Sequence, residues 1–188
     1  MVLPIYAYGQ PVLRKVAKPI DKDFPDLDKL IADMWETMYA ADGVGLAAPQ
    51  IGKSVRIFMV DSTLMMEEGK EEGGIKRVFI NAEMIEERGD TWPYEEGCLS
   101  IPTVTGDVER AEHITIRYQD QEFNTHEESF EGVNARVIQH EYDHIEGKLF
   151  TEKLKPIKKR MVKRKLENIV KGKVKHKYRM KFLPGGGK

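Results

Sequence analysis

The chain has 188 residues, which suits one domain of ordinary size with a full hydrophobic core. Apolar residues make up 40% and charged residues 32%, the balance of a soluble globular chain, and no apolar run approaches membrane-spanning length. One cysteine excludes an internal disulfide, and the opening Met1-Val2-Leu3-Pro4 lacks the basic segment and long apolar stretch of a secretory signal.

The net charge of −1 hides an uneven distribution. Lys153 to Lys188 holds 15 of the 30 Lys/Arg residues and one of the 31 Asp/Glu residues. The first 152 residues are therefore near −15 and the rest near +14. An acidic body with a basic arm suggests contact with nucleic acid or an anionic surface.

Taken in chain order, residues 26 to 42 read as a helix. Leu27, Leu30, Ile31, Met34, Trp35, Met38 and Tyr39 recur at three- and four-residue spacing, and Asp42-Gly43 ends the stripe. Gly43 to Gln50 is rich in small residues and reads as a loop that lets another group approach its backbone closely. Val55 to Val60 is a buried strand. Leu64 to Gly74, with four glutamates and three glycines, is an exposed excursion, and Ile75 to Asn81 its return strand. Trp92 to Pro102 holds the cysteine, two prolines and a glycine, and reads as an irregular loop.

Ile114, Ile116 and Tyr118 alternate with polar residues as in a half-buried strand, and Gln121 to Phe130 pairs with it through a turn near Asp120. Val133 to Ile145 is a second helix, with Val133, Val137, His140 and His144 along one stripe and Gly147 after its end. Pro156 opens a third, whose apolar face is Ile157, Met161, Val162, Leu166, Ile169 and Val170. Strands first and helices interspersed, without a βαβ rhythm, argue for an α+β fold. The ending Pro184-Gly185-Gly186-Gly187-Lys188 reads as disordered.

The chemistry lies in His140-Glu141-Tyr142-Asp143-His144. The helical period puts residues four apart on one face, so both imidazoles can bind one ion, and Glu141 beside them can take a proton from water. A surface helix with two histidines gives the same pattern by chance; the apolar stripe behind it favours a site. A catalytic ion wants a third protein ligand. A third histidine six residues after the second is excluded by Phe150. Glu167 has the spacing of a downstream glutamate ligand but sits among lysines. That leaves Cys98, whose thiolate with two imidazoles makes a soft site for zinc or ferrous iron.

Three segments resemble, in order and spacing, the three motifs of peptide deformylases: Gly43-Val44-Gly45-Leu46-Ala47-Ala48-Pro49-Gln50, Glu96-Gly97-Cys98-Leu99-Ser100 and Gln139-His140-Glu141-Tyr142-Asp143-His144. The resemblance is to the active bacterial type and spans roughly residues 1 to 155, with 156 to 188 a basic C-terminal helix and tail of the same single domain. It implies antiparallel strands packed around a central helix carrying the histidines, with a C-terminal helix, and a cytoplasmic hydrolase that removes the formyl group from the initiator methionine of nascent polypeptides. By resemblance, Cys98, His140 and His144 bind one divalent ion, ferrous iron in the cell, with zinc, nickel or cobalt able to replace it. Glu141 is general base and then acid. The Gln50 side-chain amide and the Leu99 backbone N–H stabilise the oxyanion, and the Gly45 backbone positions the N-formylmethionyl peptide.

Val44, Val133 and Val137 are candidates for the wall of the methionine pocket, with ordinary core packing nearly as good an account of them. Asp143 either orients a ligand or lies on the surface. Arg110 stands where the family tends to keep an arginine, with no role assigned. Arg136 stands where many relatives are apolar, which bears on peptide preference. His113, His126 and His176 lack ligand spacing and read as structural or solvated. The Leu64 to Gly74 excursion is either a neutral loop or a border of the site. Some deformylases dock on the ribosome through their C-terminal segment, and the lysine-rich arm here fits that role as well as it fits a solvated helix face. Two competing readings are a zinc endopeptidase, which needs a third ligand other than Cys98, and a nucleic-acid-binding protein with a degenerate metal site, which needs no Glu141.

Overall fold

The computed structural model describes residues 1–185. Gly186, Gly187 and Lys188, the last three residues of the ending read as disordered, lie outside the described residues; Pro184 and Gly185 form a turn. The elements run β1 (Ile5–Tyr6), α1 (Leu27–Ala40), β2 (Gly45–Ala47), β3 (Ile57–Asp61), β4 (Lys76–Cys98), β5 (Ile101–Gln119), β6 (Thr125–Glu131), α2 (Gly132–Ile145), α3 (Pro156–Val170) and β7 (Met180–Lys181). Five strands form an antiparallel sheet in the order β2-β3-β4-β5-β6, and β1 pairs with β7 in parallel.

Of the inner strands β3 is packed on both faces, every residue from Ile57 to Asp61 being buried, whereas β5 alternates buried and exposed residues. Along β3, Phe58 and Val60 join the cluster under α2, with Phe79, Ile114, Ile116, Ile138 and Ile145. Ile57 and Met59 join the cluster under α1, with Leu30, Ile31, Met34 and Met38. A strand covered on both faces reads as an unbroken apolar run, which is why Val55 to Val60 shows no alternation. A third cluster gathers Ile101, Val104 and Val108 of β5 with Phe150, Leu154, Val162 and Ile169. The α+β class and the central and C-terminal helices are as expected.

Three local readings are corrected. Residues 43 to 50 are not simply a loop: Gly45, Leu46 and Ala47 pair with Val60, Met59 and Phe58, and Ala48–Ile51 is a 3-10 turn. Glycine and alanine carry little strand preference, so only the partner strand makes this segment a strand. Residues 92 to 102 are not an irregular loop either. Trp92 to Cys98 completes β4 and Ile101-Pro102 begins β5, with Leu99-Ser100 as the turn. Pro93 is tolerated because β4 pairs with β3 only over Lys76 to Ile80, so its outer half is an edge that needs no donor there.

The third correction concerns α3. Of its expected apolar face only Val162 and Ile169 are buried, while Ile157 and Met161 are 66% and 69% exposed. By contrast α2 is buried on several sides, from Ala135 to Ile145, and not along one stripe. Gly147 ends it at φ 70°, a left-handed value that glycine accepts without strain. The excursion after β3 contains two short 3-10 turns, Ser62–Met65 and Glu71–Gly73, and is tied to α2 by the Asn134 amide donating to the Gly73 carbonyl at 2.9 Å.

Candidate metal centre

Three elements bring the site together. The β4–β5 turn supplies Cys98 and Leu99, α2 supplies His140, Glu141 and His144, and the β2 segment supplies Gly45 and Gln50. Cys98 Sγ lies 3.3 Å from His144 Nε2. One ligand atom from each of Cys98, His140 and His144 falls within 4.8 Å of the others. His140 Nδ1 is engaged by Glu96 Oε2 at 2.8 Å, which leaves Nε2 as its free ring nitrogen. Burial holds His144 well below its ordinary pKa and so keeps the ring neutral, the form that ligates. Among the described residues, His144 Nδ1 and Glu141 Oε2 are buried without a hydrogen-bond partner. A soft thiolate, two imidazoles and an unpartnered carboxylate oxygen converge as a zinc or ferrous ion with a bound water would require.

Glu141 is 4% exposed, and burial raises its carboxyl to about 7. Gly45 explains how it fits. A Cβ on that residue would meet Glu141 Oε1 and come within 2.8 Å of Glu141 Cδ, so only glycine lets α2 seat the carboxylate against β2. Gln50 is 1% exposed and used at both ends. Its Oε1 accepts the Ala47 N–H at 2.9 Å, and its Nε2 lies 3.5 Å from Cys98 Sγ and 3.2 Å from Ser100 Oγ. These atoms open onto a cavity of about 790 Å³. Val44 and Val137 line it, as does Met65 from the excursion; Val133 packs into the core cluster beneath α2 and is not among the lining residues.

Beneath the site lies a buried charge network. Glu96 accepts from Arg110 Nε at 2.6 Å and Nη2 at 3.0 Å, and from Arg136 Nη1 at 3.0 Å. Arg110 Nη1 also donates to Asp143 at 2.8 Å. Burial pushes the Glu96 carboxyl up, but the hydrogen bonds from His140 and Arg110 outweigh it and hold the group well below the usual carboxylate range. Asp143 is thus no surface residue: it is 8% exposed and braces Arg110. Arg136 is among the residues lining the cavity, but its charge is committed to Glu96 beneath it. It is 2% exposed, its guanidinium stacks over Trp92, and it donates to the Trp92 and Val108 carbonyls. Glu167 is exposed on α3 and takes no part in the ligand cluster.

A model of the family described as "Polypeptide deformylase" matches residues 2–160. The chain belongs to the polypeptide deformylase family. It is 54% identical to the peptide deformylase of Christiangramia forsetii, covering 97% of this chain and 96% of that one, and 52% identical to that of Flavobacterium psychrophilum, covering 98% of each. Among solved structures it is similar to the peptide deformylases of Legionella pneumophila (TM-score 0.78, 40% identity, 89% of this chain and 94% of that one) and Thermotoga maritima (TM-score 0.73, 42% identity, 83% and 99%). As a deformylase the chain is a metal-dependent hydrolase that removes the N-formyl group from nascent peptides.

Two parts of this deformylase centre escaped the sequence reading. Glu96 had no assigned role, although it stands two residues before Cys98; on a strand such residues share a face, and reading the segment as a loop hid that relation. Arg110 was noticed without a role, and its partners come from β4 and α2, which no local pattern reveals.

Proposed function

We propose that Cys98, His140 and His144 hold the ion of this deformylase, that Glu141 moves the protons, and that Gln50 and Leu99 stabilise the oxyanion. The convergence of the three ligand atoms beside an unpartnered, buried Glu141 carries this reading. When bound, the ion supplies an acidic water and a Lewis acid for the formyl carbonyl. Glu141 accepts the proton of the attacking water and returns it to the departing amine nitrogen; burial raises the proton affinity of its carboxyl, and a bound cation would draw it back towards the carboxylate that a base needs. The Gln50 Nε2 and the Leu99 backbone N–H donate to the carbonyl oxygen as charge develops on it. The Gly45 backbone borders the peptide. Val44 and Val137 flank the methionine side chain, and the small residues of the β2 segment leave room for hydrogen but not for a bulkier acyl substituent.

Ferrous iron is our proposal for the ion in the cell, with zinc, nickel or cobalt able to replace it, on the softness of the Cys-His-His set. We place the enzyme in the bacterial cytoplasm, in keeping with its substrate; no helix among the described residues is long and apolar enough to cross a membrane. Residues 1–155 and 156–188 are read as one domain because Val162 and Ile169 pack into the third core cluster and β7 pairs with β1. The exposed cations Lys159, Arg160, Lys163 and Arg164 of α3 are the proposed ribosome contact. Replacing those four by alanine should abolish ribosome pelleting at low salt; undiminished pelleting would rule the contact out.

The assignment of Glu141 is tested by formate release from formyl-Met-Ala-Ser by anaerobically purified, ferrous-loaded protein. We expect Glu141→Gln to keep its ion and lose on the order of 10²- to 10⁴-fold in turnover. Full turnover in Glu141→Gln would remove Glu141 from the mechanism.

A further inference from the structure

The segment after α3 returns over the cleft. β7 lies parallel to β1, with Ile5 pairing Met180 and Tyr6 pairing Lys181. The Gln10 amide donates to the Lys181 and Phe182 carbonyls at 3.2 and 2.8 Å, and the Ala7 N–H donates to the Lys181 carbonyl at 3.0 Å. Gly9 is so close to this segment that a Cβ there would fall 2.9 Å from Leu183 Cδ1. Residues 175 to 178 are thereby held as one wall of the active-site cavity. They lie beyond residue 160, where the family match ends.

From that wall the Tyr178 hydroxyl donates to the Leu99 carbonyl at 2.7 Å. Leu99 sits in the two-residue turn between β4 and β5, where the register slips between Gly97 and Cys98. A turn of this kind has little backbone pairing of its own, so its orientation depends on what grips it from outside. Three contacts do so. The Tyr8 N–H donates to the Ser100 carbonyl at 2.8 Å, Gln50 Nε2 donates to Ser100 Oγ at 3.2 Å, and Tyr178 takes the Leu99 carbonyl. On the opposite side, the Leu99 side chain presses on Gly43 so closely that a Cβ there would fall 2.7 Å from Leu99 Cδ1.

We infer that Tyr178 is a positioning residue for the reaction: by holding the Leu99 carbonyl it restrains the two-residue turn that carries the Leu99 N–H. The inference rests on the reading of Leu99 as an oxyanion donor. An oxyanion donor contributes only when already aimed at the place the charge will occupy, so a loosened turn costs turnover and not substrate binding.

The test is Tyr178→Phe, which removes one oxygen and keeps the packed ring, with exposed Arg179→Ala on the same segment as control. We expect kcat to fall about tenfold in Tyr178→Phe with KM and metal content unchanged, and the Leu99 amide resonance of the zinc-loaded protein to shift or broaden while the amides of α2 do not change. Arg179→Ala should match the parent in both measurements. Unchanged kcat, or lowered kcat with an unchanged Leu99 amide resonance, would overturn the inference; so would a loss traced to KM or to missing metal. Failure of the underlying site reading is a separate result: the parent protein, shown to hold its ion, would then release no formate.

Discussion

Glu96 Oε2 lies 2.8 Å from Nδ1 of His140, and the same carboxylate is gripped by two buried arginines, Arg110 and Arg136. The carboxylate thus sets which ring nitrogen of His140 faces the ligand cluster and keeps the ring from turning. Glu96→Gln, which retains volume but weakens that hold, should lower metal affinity about 10- to 100-fold. Chelator competition would measure it, and unaltered affinity would reduce Glu96 to a packing role. Glu96→Ala should go further and destabilise the protein by about 3–5 kcal/mol in urea unfolding, because it leaves Arg110 and Arg136 buried without their anion.

Gly45→Ala places a methyl group where Glu141 now sits. The carboxylate must move, while Cys98, His140 and His144 are untouched. The expected outcome is a loss of turnover on the order of 10²-fold with the metal retained, since misplacing a reacting group by about 1 Å costs that much. Metal analysis beside formate release would separate this from loss of the ion.

Gln50→Ala removes the proposed oxyanion donor and also the amide that braces Ser100. Turnover should fall by about 10²- to 10³-fold. Gln50→Glu tests the same atom: it keeps the acceptor for Ala47 N–H but takes away the donor, so its turnover should be no better than that of the alanine variant.

The Glu141 carboxyl, raised to about 7 in the folded protein by burial, has its ordinary value of 4.5 when the chain unfolds. Between those values the folded state of the metal-free protein binds the extra proton. Its stability is therefore fully present below 4.5 and is lost as pH rises through about 7. Glu141→Gln has no such loss. Stripped of metal, it should be more stable than the parent at about pH 8, by up to about 3 kcal/mol at roughly 1.4 kcal/mol per tenfold change in proton binding, and show little gain at about pH 4. In the loaded enzyme the neighbouring cation favours the carboxylate, so turnover should fall on acidification with a midpoint below that of the metal-free protein. Parallel stability profiles for parent and variant would show that Glu141 does not titrate in this range.

The cluster of Cys98, His140 and His144 could be expected from the sequence because part of it is local: His140, Glu141 and His144 share one helical turn, and Cys98 was reached by exclusion of Phe150 and Glu167. What could not be read depends on contacts across the chain. Arg110 needs Glu96 and Asp143, and Arg136 needs Trp92 and Val108, pairs separated by strands and a helix. The strand character of Gly45 to Ala47 is imposed by β3, and that of Trp92 to Cys98 by β5, against the preferences of glycine and proline. On α3 the helical period was right and the buried face was not. Ile157 and Met161 fit the stripe, but only Val162 and Ile169 are buried against the body, with Leu166 partly so.

On the side away from β5, the outer half of β4 from Glu83 to Pro93 has no strand beside it among the described residues. Such an edge invites a second molecule to add a strand of its own. Here Glu86, Glu87, Arg88 and Asp90 are exposed along it, the register slips at Met84/Glu86 and again at Arg88/Thr91, and Pro93 offers no donor. Charge, twist and a missing N–H together make this edge a poor template, so the long hairpin that delivers Cys98 to the site does so without making the molecule prone to polymerise along its sheet.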